Sequence, residues 1–265
     1  MRIGVTGCAG RMGLTLLRHI AAHANGVIAG GCEAPGHEAV GRDVGDLAGL
    51  GTIGVNVSAD AAELFEASDA IVDFTVAAAT VRHAELASQT KTALIAGTTA
   101  LSAADEATLS RAAQSAAIVY AANMSVGVNL LLQTTEQLAS QLDDAFDIEI
   151  AEMHHRHKVD APSGTALAFG RAAATGRGVD LDKAAERGRD GHTGARKPGA
   201  IGFASLRGGA VAGEHTVIFA SDDEQIEIVH RARNNGLFAA GAVRAALWTA
   251  GKAPGLYSMK DVLGL

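Results

Sequence analysis

The 265 residues are 48% apolar and 19% charged, a composition that excludes a mainly disordered chain. At roughly 150 residues per domain the length allows about two domains. The 22 basic and 29 acidic side chains leave a net charge of −7, which speaks against general binding to nucleic acid or to anionic membranes.

Thirty-two glycines stand against seven Phe, two Tyr and one Trp, so the core must be built from Ala, Val, Ile and Leu, with close backbone approaches. No apolar run approaches the ~18 residues of a membrane span. Met1 leads into a strand-like segment rather than the apolar core of a signal peptide. Cys8 and Cys32 form no CxxC pair and read as free thiols in a reducing compartment. A cytoplasmic protein that binds neither membrane nor nucleic acid is expected.

Residues 2–6 form the first predicted strand, and 11–23 follow as a helix with Met12, Leu16, Leu17 and Ile20 at helical spacing. A second strand is predicted at 27–32 and a short helix at 60–66. The run 70–74 is strand-like, 76–89 helical and 92–96 again a strand. Ser102 with Asp105 and Glu106 opens a helix in the manner of a capping box, and 117–122 is a further strand. Two-sided apolar strands separated by helices argue for a parallel sheet covered on both faces, an α/β, Rossmann-like doubly wound domain.

Beyond a long helix at 126–142 the pattern changes. Strand-like runs at 147–153, 201–207, 214–220 and 225–229 lack intervening helices, which suggests an α+β unit with a mixed or antiparallel sheet. The Gly- and charge-rich stretch 177–202 reads as a mobile loop or simply as a solvated connection. A helix at 237–249 returns to the first pattern. Residues 1–125 and 235–265 are therefore expected to form one domain, with 126–234 inserted into it.

Gly7-Cys8-Ala9-Gly10-Arg11-Met12-Gly13 follows the first strand and opens the first helix. A dinucleotide pyrophosphate needs backbone N–H groups at the positive end of a helix with no side chains in the way, and this loop offers that. Glu33, twenty residues after Gly13 at the end of the second strand, is placed to accept hydrogen bonds from ribose hydroxyls. Ala34 and Pro35 follow it where a 2′-phosphate would call for Arg or Lys, which favours NADH over NADPH.

His154, His155, Arg156, His157 and Lys158 are contiguous. The segment lacks metal-ligand spacing, and Arg156 and Lys158 would repel a cation, so it suits a small carboxylate-bearing substrate and no metal. Ser163-Gly164-Thr165 opens a helix whose amides can cradle a carboxylate; taken alone, the same triplet is an ordinary N-cap.

These residues resemble the 4-hydroxy-tetrahydrodipicolinate reductase (dihydrodipicolinate reductase) family along essentially the whole chain. The resemblance rests on VTGCAGRMG at the start, VDFT at 72–75, AGTT at 96–99 and AANMSVGVN at 121–129. It continues through EMHHRHKVDAPSGTA at 152–166, GHTGARKPGAIGFASLRGG at 191–209 and GEHT at 213–216. It implies NAD(P)H-dependent reduction of a cyclic dicarboxylate in lysine and diaminopimelate biosynthesis by a homotetramer assembled through the inserted domain.

Residue by residue, the resemblance implies that Gly7, Cys8, Ala9, Gly10, Arg11, Met12 and Glu33 bind the cofactor. Phe74, Thr75, Gly97, Thr98, Thr99, Ala121, Ala122, Asn123 and Met124 would lie on its nicotinamide side. His154 and Lys158 would be catalytic, and His155, Lys158, Gly164 and Thr165 would hold the substrate. Ala100 stands where the family often has Gly, which implies a slightly stiffer loop. Two rival readings are a dehydrogenase for another substrate, such as an amino acid, and a dinucleotide-sensing protein without catalysis.

Overall fold

The computed structural model describes all 265 residues, Met1–Leu265. The chain divides into two compact units, one of Met1–Val126 with Asn235–Leu265 and one of Gly127–Asn234.

The first unit runs β1 (Arg2–Thr6), α1 (Arg11–Ala22), β2 (Val27–Cys32), α2 (Val44–Ala48), β3 (Val57–Ser58), α3 (Ala61–Ala67), β4 (Ala70–Asp73), α4 (Ala77–Thr90), β5 (Ala93–Ala96), α5 (Ala103–Ala112) and β6 (Ala117–Tyr120). Its seven strands are ordered β12-β6-β5-β4-β1-β2-β3 and every pairing is parallel; β12 (Gly255–Tyr257) is the edge strand beside β6. Strand order reverses between β1 and β4, where doubly wound sheets open a crevice at the carboxyl ends of the strands.

Small residues set the spacing in this unit. On Gly31 of β2 a Cβ would lie 2.6 Å from the Cys8 Sγ, so the glycine lets the loop after β1 sit on the strand. Two cores flank the sheet, one including Ile3, Val5, Leu16, Leu17 and Ile20, the other Phe65, Ile71, Leu94, Leu109 and Ile118. Ser102 and Asp105 form the capping box expected of α5. The segment between Glu33 and Ser58, where the sequence pattern assigns no element, folds around the Asp43 carboxylate. That group accepts the backbone N–H groups of Gly45, Asp46, Ile53, Gly54 and Val55.

The second unit contains α6 (Val126–Gln141), β7 (Asp147–His154), α7 (Gly164–Arg177), α8 (Leu181–Ala184), β8 (Ala185–Arg187), β9 (Ile201–Arg207), β10 (Gly213–Ala220) and β11 (Gln225–Ala232). Its five-stranded sheet, ordered β11-β10-β7-β9-β8, is mixed: β7, β8 and β9 run parallel, while β10 is antiparallel to β7 and β11. The stretch read as a mobile loop is structured in part. It carries α8 and β8, and two of its arginines are paired: Arg189 and Arg196 bind Glu149, and Arg196 also binds Asp147. Those acids lie on the other face of β7, a partner that local composition cannot reveal.

Strand register builds the inward face of this sheet in four rows. Ile148, Ile201 and Phe219 form the first, and Ile150, Phe203 and Val217 the second. Both rows pack against apolar side chains of α6 and α7, including Val128, Ala139, Ala166 and Phe169. The third row is Glu152, Ser205 and His215, and in the fourth Arg207 stands beside His154. The face therefore changes from apolar to polar along the direction of β7.

The chain finishes with α9 (Gly236–Trp248), β12 and α10 (Met259–Leu263), all in the first unit. A Cβ on Gly241 would lie 1.8 Å from the Met124 carbonyl oxygen, so only glycine lets α9 approach the loop after β6 this closely. No helix is long and apolar enough to cross a membrane.

Replacing Phe203 with Ala should lower the free energy of unfolding by about 3–5 kcal/mol, since the ring is buried in the second apolar row. Urea denaturation followed by circular dichroism reads the change, and a loss below about 1 kcal/mol would contradict this packing.

Candidate active site

In the first unit the predicted cofactor residues gather at the carboxyl ends of β1, β2, β4, β5 and β6. Gly7 turns the chain with φ of 64°, in the left-handed region that favours glycine. Gly10 caps α1 without a side-chain acceptor, and no acidic residue occupies the first turn. The helix therefore presents backbone N–H groups and the positive end of its dipole to an anion. On Gly13 a Cβ would lie 2.2 Å from the Gly7 carbonyl oxygen, so a side chain there would break the turn.

Glu33 is tied to this loop, its Oε1 accepting the Ala9 N–H at 2.8 Å. Cys8 turns its side chain into the core, and burial pushes its thiol up to about 12. Burial likewise raises the Cys32 thiol to about 11. Cys8 can thus meet a ligand only through its backbone.

Thr75 follows β4 and gives both its N–H and its hydroxyl to Asp73 Oδ1, at 2.9 and 2.6 Å. Asp73 is fully buried and its Oδ2 lies 2.9 Å from His83 Nδ1 on α4. Burial alone would raise the Asp73 carboxyl, but the bonds from His83 and Thr75 outweigh it and hold it below the usual range. Phe74 lies against Gly97, where a Cβ would come within 2.3 Å of the ring. The Thr98 hydroxyl accepts from Thr80 at 2.8 Å, Thr99 is exposed, and Asn123 Oδ1 accepts the Ser125 N–H at 2.9 Å. Ala100 adopts a φ of 61°, a left-handed conformation that costs an L-residue about 1–2 kcal/mol and that Gly would take freely.

A cavity of about 770 Å³ opens here, lined in part by Gly7, Glu33, Pro35, Thr75, Arg82 and His83. A second, of about 640 Å³, lies at the amino ends of the strands beside Met1, Asp69 and Ala117, away from the glycine loop. The first fits an adenosine-bearing dinucleotide: a glycine-only turn, an uncapped helix terminus and a carboxylate converge on it.

In the second unit the polar rows of the sheet centre on Glu152, which is 2% exposed. Arg207 donates to both its oxygens, Nη1 to Oε2 and Nη2 to Oε1, each at 2.8 Å. Oε2 lies 2.6 Å from His154 Nδ1, and Oε1 accepts the Ser163 N–H at 3.2 Å. Burial alone would raise this carboxyl; hydrogen bonds from Arg207, then His154 and Ser205, bring it down to about 2. An ionised carboxylate only accepts, so His154 carries its hydrogen on Nδ1 and leaves Nε2 without one in the neutral ring.

His215 lies edge-on to His154, with ring centroids 5.1 Å apart. Its Nε2 is 3.0 Å from Ser163 Oγ, and its buried Nδ1 has no partner. Burial first, and then the nearby His154, push it down to about 4, so it is neutral at pH 7. Ser163 is the N-cap of α7, its Oγ accepting the Ala166 N–H at 3.1 Å, while Gly164 is exposed at the first helical position.

The chain from His155 to Lys158 is a turn fixed by the Lys158 N–H on the His155 carbonyl and the Arg156 N–H on the Gly209 carbonyl. Lys158 Nζ lies 2.8 Å from Asp160 Oδ1, and Arg156 and His157 are exposed. Asp160 and Glu152 thus offset a segment that reads as strongly cationic in sequence. The structure brings His154, Lys158 and the start of α7 into one hydrogen-bonded assembly. Glu152, Arg207, Ser205 and His215, which sequence reasoning left without roles, hold it together. The signal for Glu152 was the period-two alternation Ile148, Ile150, Glu152, His154, which puts an acid on an inward face.

Family comparison decides the lineage. The profile described as "Dihydrodipicolinate reductase, N-terminus" matches residues 1–124, and "Dihydrodipicolinate reductase, C-terminus" matches 127–263. The chain belongs to the dihydrodipicolinate reductase family. A 4-hydroxy-tetrahydrodipicolinate reductase of Rhodopseudomonas palustris (strain BisA53) is 55% identical over 265 residues, covering 100% of this chain and 97% of the relative. That of Bradyrhizobium diazoefficiens is 52% identical, covering 100% and 98%. A dipicolinate-bound dihydrodipicolinate reductase from Paenisporosarcina sp. TG-14 shares the fold with a TM-score of 0.74 at 21% identity, covering 98% of each chain. Membership of this family makes the protein an oxidoreductase.

Titration of this cluster gives stability a definite pH dependence. The unfolded chain protonates His215 near 6.5, whereas the folded chain resists until about 4, so stability is lost as pH falls through that window. Glu152 extends the loss from about 4.5 down to about 2. The His215 contribution is about 3 kcal/mol. His215→Gln should flatten the fall between pH 6.5 and 4 in denaturation series, and an unchanged slope would contradict a buried neutral imidazole.

Proposed function

We infer that this chain reduces 4-hydroxy-tetrahydrodipicolinate to tetrahydrodipicolinate with a nicotinamide dinucleotide, in the formation of diaminopimelate and lysine. The observation that carries the reading is the polar end of β7: an imidazole oriented by a buried carboxylate, a lysine in the following turn, and an exposed helix N-terminus. That set provides proton delivery together with recognition of carboxylates. The names of relatives at 52–55% identity over the whole chain support the substrate assignment.

The nicotinamide, when bound, supplies the hydride. Gly7, Cys8, Ala9, Gly10, Arg11 and Met12 offer their backbone to the pyrophosphate, and Glu33 accepts from ribose hydroxyls. Phe74, Thr75, Gly97, Thr98, Thr99 and Ala121 to Met124 shape the strand-end surface for the nicotinamide half. Residues 1–125 with 235–265 form the dinucleotide-binding domain, and residues 126–234 the domain for substrate and tetramer formation.

In the second unit His155, Lys158 and the amides of Gly164 and Thr165 hold the substrate's carboxylates. Lys158 or His154 delivers the proton to the ring. The chain works as a homotetramer in the cytoplasm. The outward face of the five-stranded sheet supports assembly, since Leu206 and Val229 are exposed on it at 57% and 37%.

NADH is the preferred cofactor, because Ala34 and Pro35 follow Glu33 where a 2′-phosphate would call for Arg or Lys. Steady-state kcat/KM should favour NADH over NADPH, and a preference for NADPH would overturn this choice.

The test is NADH oxidation with the condensation product of pyruvate and aspartate semialdehyde. Turnover is expected with the native chain, and His154→Ala or Lys158→Ala should lower kcat by about 10²–10⁴-fold with the fold intact. Near-native turnover in both variants would sink the assignment of these roles. Binding of NADH without turnover in the native chain would point to a sensor instead.

A further inference from the structure

We propose that Glu152 and Arg207 form a positioning pair that holds both proton-handling side chains of the second unit in register. The proposal rests on the reading of His154 and Lys158 given above. Arg207 donates to four acceptors at once, one of them the neighbouring Leu206 carbonyl at 2.6 Å. It grips both oxygens of Glu152, and its Nη2 also donates to the Asp160 carbonyl at 2.7 Å. Glu152 in turn receives His154 Nδ1 and the Ser163 N–H. Asp160 is the residue whose carboxylate meets Lys158. One ion pair therefore connects the imidazole, the lysine turn and the N-cap of α7.

The pairing follows from register. Ser205 and Arg207 on β9 lie opposite Glu152 and His154 on β7, and His215 on β10 lies opposite Glu152. A carboxylate buried this far is costly unless every lone pair is occupied, and a flat guanidinium fork is the side chain that fills two at once. Lysine cannot, because its ammonium is a single point of charge. The space beside His154 is equally constrained: a Cβ on Gly213 would lie 3.1 Å from its Nε2.

The charged and titratable groups facing His154 are Glu152 on its own strand, Arg207 on β9 and His215 on β10, with Lys158 and Asp160 in the turn that follows. His230 on β11 acts on His215. Helix α7 brings Ser163 to the cluster, and its buried residues carry no charge. Among these, Glu152 alone contacts an imidazole nitrogen of His154.

The experiment compares kcat, the KM values and the pH profile of kcat/KM for the native chain, Glu152→Gln and Arg207→Lys. Glu152→Gln should lower kcat at least about tenfold and change the pH profile of kcat/KM, with KM for NADH unchanged. Arg207→Lys, which keeps the positive charge, should raise KM for the dicarboxylate and lower kcat, again with KM for NADH unchanged. If Glu152→Gln fails to fold, Arg207→Lys decides. A native pH profile and kcat in the folded variants overturn the proposal, as does a loss confined to KM for NADH. If His154→Ala and Lys158→Ala are inactive while these variants behave as native, the positioning pair fails and the functional reading stands. If His154→Ala and Lys158→Ala are themselves active, the functional reading is what fails.

Discussion

A single buried carboxylate orders the polar end of the second unit. Glu152 stands on the inward face of β7, two residues beyond Ile150, where strand alternation would place another apolar side chain. Taking a carboxylate out of water costs several kcal/mol, and an apolar side chain of similar size would often serve stability equally well. The cost is offset because Arg207, His154 and the Ser163 amide all donate to it. Each of those donors is thereby fixed in place. Orientation, rather than net stability, is what the arrangement gains.

The first unit uses the same physics for a different purpose. Asp73, fully buried at the end of β4, fixes the Thr75 loop and the His83 ring at the rim of the cavity beside the glycine turn. Glu33 bonds the Ala9 amide of that turn. In both units a carboxylate at a strand end shapes the loop that follows, while the sheet behind it is packed with Ile, Val, Leu and Phe. The scarcity of aromatic rings is consistent with these cores, whose close contacts run through Gly31, Gly97 and Gly241.

Much of this was legible in the amino-acid order. The alternation of strand and helix through Tyr120 identified the parallel sheet, because both faces of each strand are apolar and each helix has its own stripe or cap. Gly7, Gly10, Gly13 and Glu33 read as a dinucleotide loop from their spacing and order, and the segment from His154 to Thr165 carried the family resemblance. Other features were hidden for physical reasons. Strand β12 has three residues, too few for periodicity to register, and the segment after Glu33 is organised by backbone bonds to Asp43 rather than by an apolar pattern. The charged stretch after Arg177 read as solvated because its acidic partners, Asp147 and Glu149, lie some forty residues away. Arg207 is likewise 55 positions from Glu152, and only strand register brings the two together.

The central claim is that an ionised Glu152 holds the hydrogen of His154 on Nδ1 and leaves Nε2 to handle the proton. Nitrogen-15 NMR of the histidine rings in the native chain near neutral pH tests it directly. The account predicts a His154 Nδ1 that is protonated and strongly hydrogen-bonded, with Nε2 carrying no hydrogen in the neutral ring. A ring with its hydrogen on Nε2 and an unprotonated Nδ1 would contradict it.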